Sequence, residues 1–158
     1  MHKISSFTVN HLTLLPGLYV SRKDRLKDVT LTTFDLRFTR PNVEPVMDTA
    51  GVHAIEHLGA TYLRNNPDWK DKVIYFGPMG CRTGFYLILA DDLEPLQAMG
   101  LVKNLLQFII RYEGEIPGCS AKECGNYHDM NLAMAQFYAK KYLEEAILSP
   151  TEERMNYQ

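Results

Sequence analysis

Five consecutive residues, His53-Ala54-Ile55-Glu56-His57, carry the densest chemistry in the chain. On a helix, residues four apart stand one turn above another on the same face, so His53 and His57 would aim two imidazoles at one point. Two imidazoles so placed can share a metal ion, with Glu56 beside them as a proton carrier. The order His-x-x-Glu-His inverts the common metallopeptidase pattern. A catalytic metal normally has three protein ligands and an open position, so the third ligand must come from elsewhere. Cys124, followed by Gly125 in a loop that precedes a helical stretch, would supply a thiolate. Cys119 and His128 are rivals that spacing does not separate from it, and His11 and His2 are more distant in the chain.

A second cysteine stands in Gly80-Cys81-Arg82-Thr83-Gly84. The glycines let the backbone approach a ligand closely, and Arg82 places a positive charge beside the sulfur. A metal ion nearby would further favour the thiolate. The blander reading is a small buried residue in a tight turn.

These residues need elements to position them. Asp48 can cap a helix that runs to Asn66, where Asn65-Asn66-Pro67 stops it. Val52, Ile55, Gly59 and Tyr62 form its packing stripe, with His53 and His57 on a neighbouring face. Val29 to Thr39 reads as a strand, and its alternation shifts phase between Thr32 and Thr33, which predicts a bulge or a twist there. Val73 to Phe76 and Phe85 to Ala90 read as two strands around the shaped loop Gly77 to Cys81. Leu93 to Tyr112 reads as an amphipathic helix with Met99, Val102, Leu106 and Ile109 inward, and a last helix spans about Asp129 to Glu145. Short connections favour antiparallel pairing, so the expected fold is α+β, with helices packed on one face of a mostly antiparallel sheet.

Composition bounds the function. A chain of 158 residues fits one catalytic domain, with residues 149–158 expected as a tail. Net charge −2 offers no case for nucleic acid or an anionic membrane as partner. The mixed run Arg22-Lys23-Asp24-Arg25 reads as a solvated turn. Apolar stretches such as Phe85 to Ala90 are too short to cross a bilayer, and the start of the chain has no charged-then-apolar pattern of a secretion signal. Three cysteines without such a signal argue against a disulfide framework. The expected location is cytoplasmic.

Taken together, the blocks resemble the S-ribosylhomocysteine lyases, the LuxS family, which make the precursor of autoinducer-2. The resemblance rests on Ser6-Phe7-Thr8-Val9-Asn10-His11, Phe34-Asp35-Leu36-Arg37-Phe38 with Pro41-Asn42, His53 to His57 with Leu58, Pro78-Met79-Gly80-Cys81-Arg82-Thr83-Gly84-Phe85-Tyr86, and Glu123-Cys124-Gly125. It implies that His53, His57 and Cys124 bind ferrous iron, which zinc or cobalt can replace. It implies that Glu56 and Cys81 form the acid–base pair, and that Ser6, His11 and Arg37 lie near the substrate. It further implies a homodimer with active sites at the interface, and a small-molecule substrate, S-ribosylhomocysteine, cleaved to homocysteine and dihydroxypentanedione. The chain departs from the family pattern at Asn10, Thr39, Pro16 to Val20 and His128 to Ala133, none of which is a catalytic position.

Two rivals remain from the residues alone. One is a zinc metallopeptidase of the inverted-motif type, in which Glu56 would activate water. It leaves Cys81 without a role and expects a carboxylate rather than a cysteine as third ligand. The other is a structural zinc domain, closed by a fourth ligand such as Cys119 or His128.

Overall fold

The computed structural model describes Ile4 and residues 7–158. Four strands, β1 (Gly17–Leu26), β2 (Val29–Arg37), β3 (Val73–Pro78) and β4 (Gly84–Leu89), form one sheet in the order β1-β2-β4-β3, with every neighbour antiparallel. Three helices, α1 (Thr49–Asn65), α2 (Pro95–Arg111) and α3 (Leu132–Tyr142), pack over it, and the chain is α+β.

Pairing across the strands sorts the side chains by face. Leu18, Phe34, Leu36, Phe85 and Leu87 share one face and merge with Ile55, Leu58, Val102, Leu106 and Ile109 of the helices into a single buried core. Tyr19, Thr33, Asp35, Arg37, Tyr86 and Ile88 share the opposite face. β2 is buried on both faces from Thr32 onward. Alternation therefore reports nothing about its phase, and the expected bulge is displaced. It lies on β1, between Val20 and Arg22, directly across from Phe34 and Thr33. The run Arg22 to Arg25 is not a turn but the exposed outer end of this edge strand, where charges discourage pairing with a further strand.

α1 begins as expected. The Asp48 carboxylate accepts the Gly51 N–H at 2.8 Å, a cap that contributes about 1 kcal/mol. Gly59 lets the helix settle onto β3: a Cβ there would come within 2.3 Å of the Phe76 ring. α2 starts at Pro95, behind a capping box in which Gln97 Oε1 accepts the Glu94 N–H at 2.8 Å. α3 starts later than Asp129. Asn131 is its cap, accepting the Met134 N–H at 3.0 Å, and the helix passes into a π turn over Leu143–Ile147.

The last ten residues fold back onto β1. Arg154 Nη1 donates to the Pro16 carbonyl oxygen at 2.7 Å, and the Tyr19 hydroxyl shares its proton between the carbonyl oxygens of Leu15 at 2.9 Å and Glu153 at 3.1 Å.

Candidate active site

α1 presents His53 and His57 half-buried, one turn apart, their rings edge to face with centroids 4.8 Å apart. Each ring is held from behind by a backbone carbonyl. His53 Nδ1 lies 2.9 Å from the Asp129 carbonyl oxygen, and His57 Nδ1 lies 2.8 Å from that of Pro117. A carbonyl can only accept, so Nδ1 carries the proton and donates, and in each neutral ring Nε2 keeps the free lone pair. Gly118 makes room for this. Its φ of +74° is the left-handed region that glycine enters without penalty, and a Cβ there would sit 3.1 Å from His57 Nδ1.

The same loop delivers Cys124. Its N–H bonds the Ser120 carbonyl oxygen at 2.9 Å, and its sulfur lies 3.4 Å from His53 Nε2 while accepting the Asn126 N–H at 3.4 Å. The donor atoms of His53, His57 and Cys124 all fall within 4.8 Å of one another, the one such group of potential metal ligands among the described residues. Two imidazoles with free Nε2 lone pairs and one thiol are donors suited to a borderline-soft divalent ion, so the side chains present fit a metal and leave a coordination position open.

The rivals are used otherwise. Cys119 donates its thiol proton to the Tyr127 carbonyl oxygen at 3.2 Å, and exposed His128 packs its ring on Tyr127 at 3.8 Å between centroids. His11 lies in the segment before β1, its Nδ1 bonded to the Val9 carbonyl oxygen at 2.9 Å, and Ser6 falls outside the described residues. Glu56 is half-buried on α1 between the two histidines.

Cys81 is exposed at the tip of the β3–β4 connection. Arg82, at φ +57°, turns this loop, and its carbonyl oxygen accepts the Met47 N–H at 3.0 Å. Because Met47 directly precedes the cap of α1, that bond ties the thiol loop to the helix that carries the imidazoles. From the sheet side, Cys81 Sγ lies 3.1 Å from Thr83 Oγ1, which accepts from Arg37 Nη1 at 2.6 Å. Arg37 Nη2 in turn donates to Asp35 Oδ2 at 2.6 Å, in an ion pair whose side chains are 4 % and 3 % exposed. The carboxylate beside it holds the Arg37 guanidinium above its ordinary range against the opposing cost of burial.

Thr83 and Asp35 stood in the sequence blocks without a role. The available signal for Asp35 was its spacing of two from Arg37, which places an acid and a base on the same face of a strand.

A three-donor group suited to a metal, set on a helix and a loop, together with an exposed thiol on a loop hydrogen-bonded to the start of the same helix, fits the class of metal-dependent enzymes. The family whose description reads S-ribosylhomocysteinase (LuxS) matches residues 4–153, and the chain belongs to that family. It is 66 % identical to the S-ribosylhomocysteine lyase of Finegoldia magna over 143 residues, 90 % of each chain. It is 58 % identical to that of Clostridium beijerinckii over 157 residues, 99 % of each chain, and 50 % identical to that of Borreliella burgdorferi, again over 99 % of each. The metallopeptidase alternative finds no support in these relationships.

Proposed function

We propose that this chain is an S-ribosylhomocysteine lyase, a carbon–sulfur lyase that releases homocysteine and leaves dihydroxypentanedione, the autoinducer-2 precursor. The observation that carries the reading is the convergence of His53, His57 and Cys124 in a chain of this family. His53, His57 and Cys124 would hold ferrous iron, with zinc or cobalt able to replace it. When bound, the ion supplies a Lewis acid that polarises a sugar carbonyl and acidifies the neighbouring C–H.

The protein's own groups then move protons. The thioether carbon is not activated while the carbonyl sits at the far end of the sugar. Two successive isomerisations carry the carbonyl inward, each taking a proton from one carbon and returning it to the next. Cys81 performs these carbon transfers, because a thiolate is both basic enough to take the proton and able to give it back near neutral pH. Glu56, on the imidazole-bearing helix, moves protons between the sugar oxygens. In the last step a C–H and the C–S bond break, a C=C bond forms, and the departing sulfur takes up a proton to become the homocysteine thiol. Ser6, His11 and Arg37 are assigned to the neighbourhood of the substrate. No net oxidation occurs, and no nicotinamide or flavin is required.

The protein is proposed to act as a homodimer with its active sites at the interface. The sheet face turned away from the helices supports this. It carries a depression of about 270 Å³ lined by Ile4, Ser21, Arg22, Thr33, Tyr75, Tyr86 and Ile88, and Phe7 and Leu12 before it are 71 % and 73 % exposed. Thr33 Oγ1, Asp35 Oδ1, Arg37 Nε and Thr39 Oγ1, buried on the same side, lack a hydrogen-bond partner among the described residues. The enzyme is proposed to be cytoplasmic, a location in keeping with its free cysteines, and to act without a membrane or nucleic acid.

Anaerobic incubation of the purified, ferrous-loaded protein with S-ribosylhomocysteine, followed by titration of free thiol, tests the reading. Stoichiometric homocysteine release is expected, and its absence from iron-loaded protein overturns the assignment.

A further inference from the structure

We propose that Tyr157 is a positioning residue for Cys81, acting through Asp35, Arg37 and Thr83. The inference rests on the assignment of Cys81 as the proton carrier. The Tyr157 hydroxyl donates to Asp35 Oδ2 at 2.9 Å, the same oxygen that receives Arg37 Nη2 at 2.6 Å. Arg37 Nη1 donates to Thr83 Oγ1 at 2.6 Å, and Thr83 Oγ1 lies 3.1 Å from Cys81 Sγ. A guanidinium has no acceptor, so the Thr83 hydroxyl must accept from it, which leaves the threonine proton available to the sulfur.

Tyr157 closes the far end of this chain. Its ring stacks on Tyr19 at 4.8 Å with an interplanar angle of 9°, and its hydroxyl reaches an ion pair that is almost fully withdrawn from water. Such a pair is strong only while water is excluded and its remaining oxygens have partners. The phenol adds a second donor to Asp35 Oδ2, the oxygen that faces the guanidinium, and so fixes the carboxylate that holds Arg37 toward Thr83.

The segment bearing Tyr157 is docked by contacts that do not involve the phenol. Arg154 bonds the Pro16 carbonyl oxygen, the Tyr19 hydroxyl lies 3.1 Å from that of Glu153 while sharing its proton with Leu15, and Gly17 packs so closely that a Cβ there would meet the Arg154 carbonyl oxygen at 2.2 Å. Removing the phenol oxygen alone therefore leaves the segment in place.

The test is Tyr157→Phe in the iron-loaded protein, alone and combined with Thr83→Val, which cuts the chain at its other end. Three quantities are read: kcat and KM for homocysteine release, and the rate at which iodoacetamide alkylates Cys81, followed by mass spectrometry of its peptide. Tyr157→Phe is expected to keep its iron, to hold KM within about twofold, and to lower kcat about tenfold, the scale of one hydrogen bond to a charged group. The Cys81 alkylation rate should change alongside. In the Thr83→Val background, Tyr157→Phe should add nothing further. If Thr83→Val does not fold, Asp35→Asn breaks the same chain and serves in its place. Wild-type alkylation and kcat in Tyr157→Phe, or effects that multiply in the double variant, overturn the proposal. Absence of turnover in the parent protein would instead remove the lyase assignment, while the alkylation comparison still decides the link between Tyr157 and Cys81.

Discussion

His53 donates through Nδ1 to the backbone carbonyl of Asp129, 76 residues further along the chain, at 2.9 Å. The orientation of one imidazole of the candidate metal group is thus set by the peptide that leads into α3. With His57 bonded to Pro117, the loop from Pro117 to Asp129 both braces the two rings and contributes Cys124. Metal and loop order are therefore linked, because an ion bound only by the folded arrangement stabilises that arrangement. Removing the metal with a chelator should lower the melting temperature and speed amide exchange selectively over residues 117–131. Uniform exchange over the whole chain, or none, would contradict the linkage.

Cys124→Ala should abolish stoichiometric metal binding, measured by elemental analysis after desalting. Cys119→Ala should retain it, because that thiol is engaged with the Tyr127 carbonyl. Full metal content in the Cys124 variant would move the third ligand elsewhere.

Cys81→Ala should keep its metal and lose homocysteine release by a factor on the order of 10²–10⁴, the usual contribution of a proton carrier. Glu56→Gln should behave the same way in metal content and similarly in rate. Loss of metal from either variant would reassign that residue to coordination.

Arg37→Met should lower stability by about 3–5 kcal/mol in urea unfolding, because it strands the Asp35 carboxylate in a site that is 3 % exposed. Asp35→Leu combined with Arg37→Met should recover more than half of that loss, since an apolar pair needs no counter-charge. Turnover should stay depressed in the double variant, which separates what the pair does for the fold from what it does for Cys81.

Alkali should unfold the protein in a tyrosine-dependent manner. Burial raises Tyr19 to about 12, and it pushes Tyr142 and Tyr157 upward as well, with Asp35 adding to each. A folded-state value above the ordinary one of 10.0 means that the folded form holds its proton longer than the unfolded chain. The stability associated with Tyr19 is complete below pH 10 and lost as pH rises through about 12, and that of Tyr142 and Tyr157 is likewise lost only on the alkaline side. Unfolding followed by circular dichroism should track tyrosinate absorbance in that window. Tyr142→Phe, which loses the 2.7 Å bond to the Gly17 carbonyl, should be less stable at neutral pH by about 1 kcal/mol and should show a shallower alkaline decline.

The helix that carries the imidazoles was legible because its signals are local: a period of 3.6, an aspartate cap and an Asn-Pro stop. β1 was not legible, since its outer half is an edge strand whose charged side chains all face water, and no alternation marks it. The bulge was attributed to the wrong strand for the opposite reason: β2 is covered on both faces, so its polar and apolar residues are equally buried. Cys124 could be nominated from the loop around it but not chosen over Cys119 or His128 by spacing, because only the folded loop decides which sulfur faces the helix. The brace behind Cys81 was the least legible part. Tyr157 meets Asp35 across 122 residues, and no local pattern encodes such a pairing.

The imidazoles ride on the helical layer, while the thiol rides on the sheet. The thickness of the seam between those layers consequently bears on the separation of the imidazoles from the thiol as well as on the core. Gly59, whose missing side chain lets α1 rest against the Phe76 ring, acts as the shim that sets this gap. Hydrophobic packing within the core thereby gauges how far the Cys81 loop stands from the helix that bears His53 and His57.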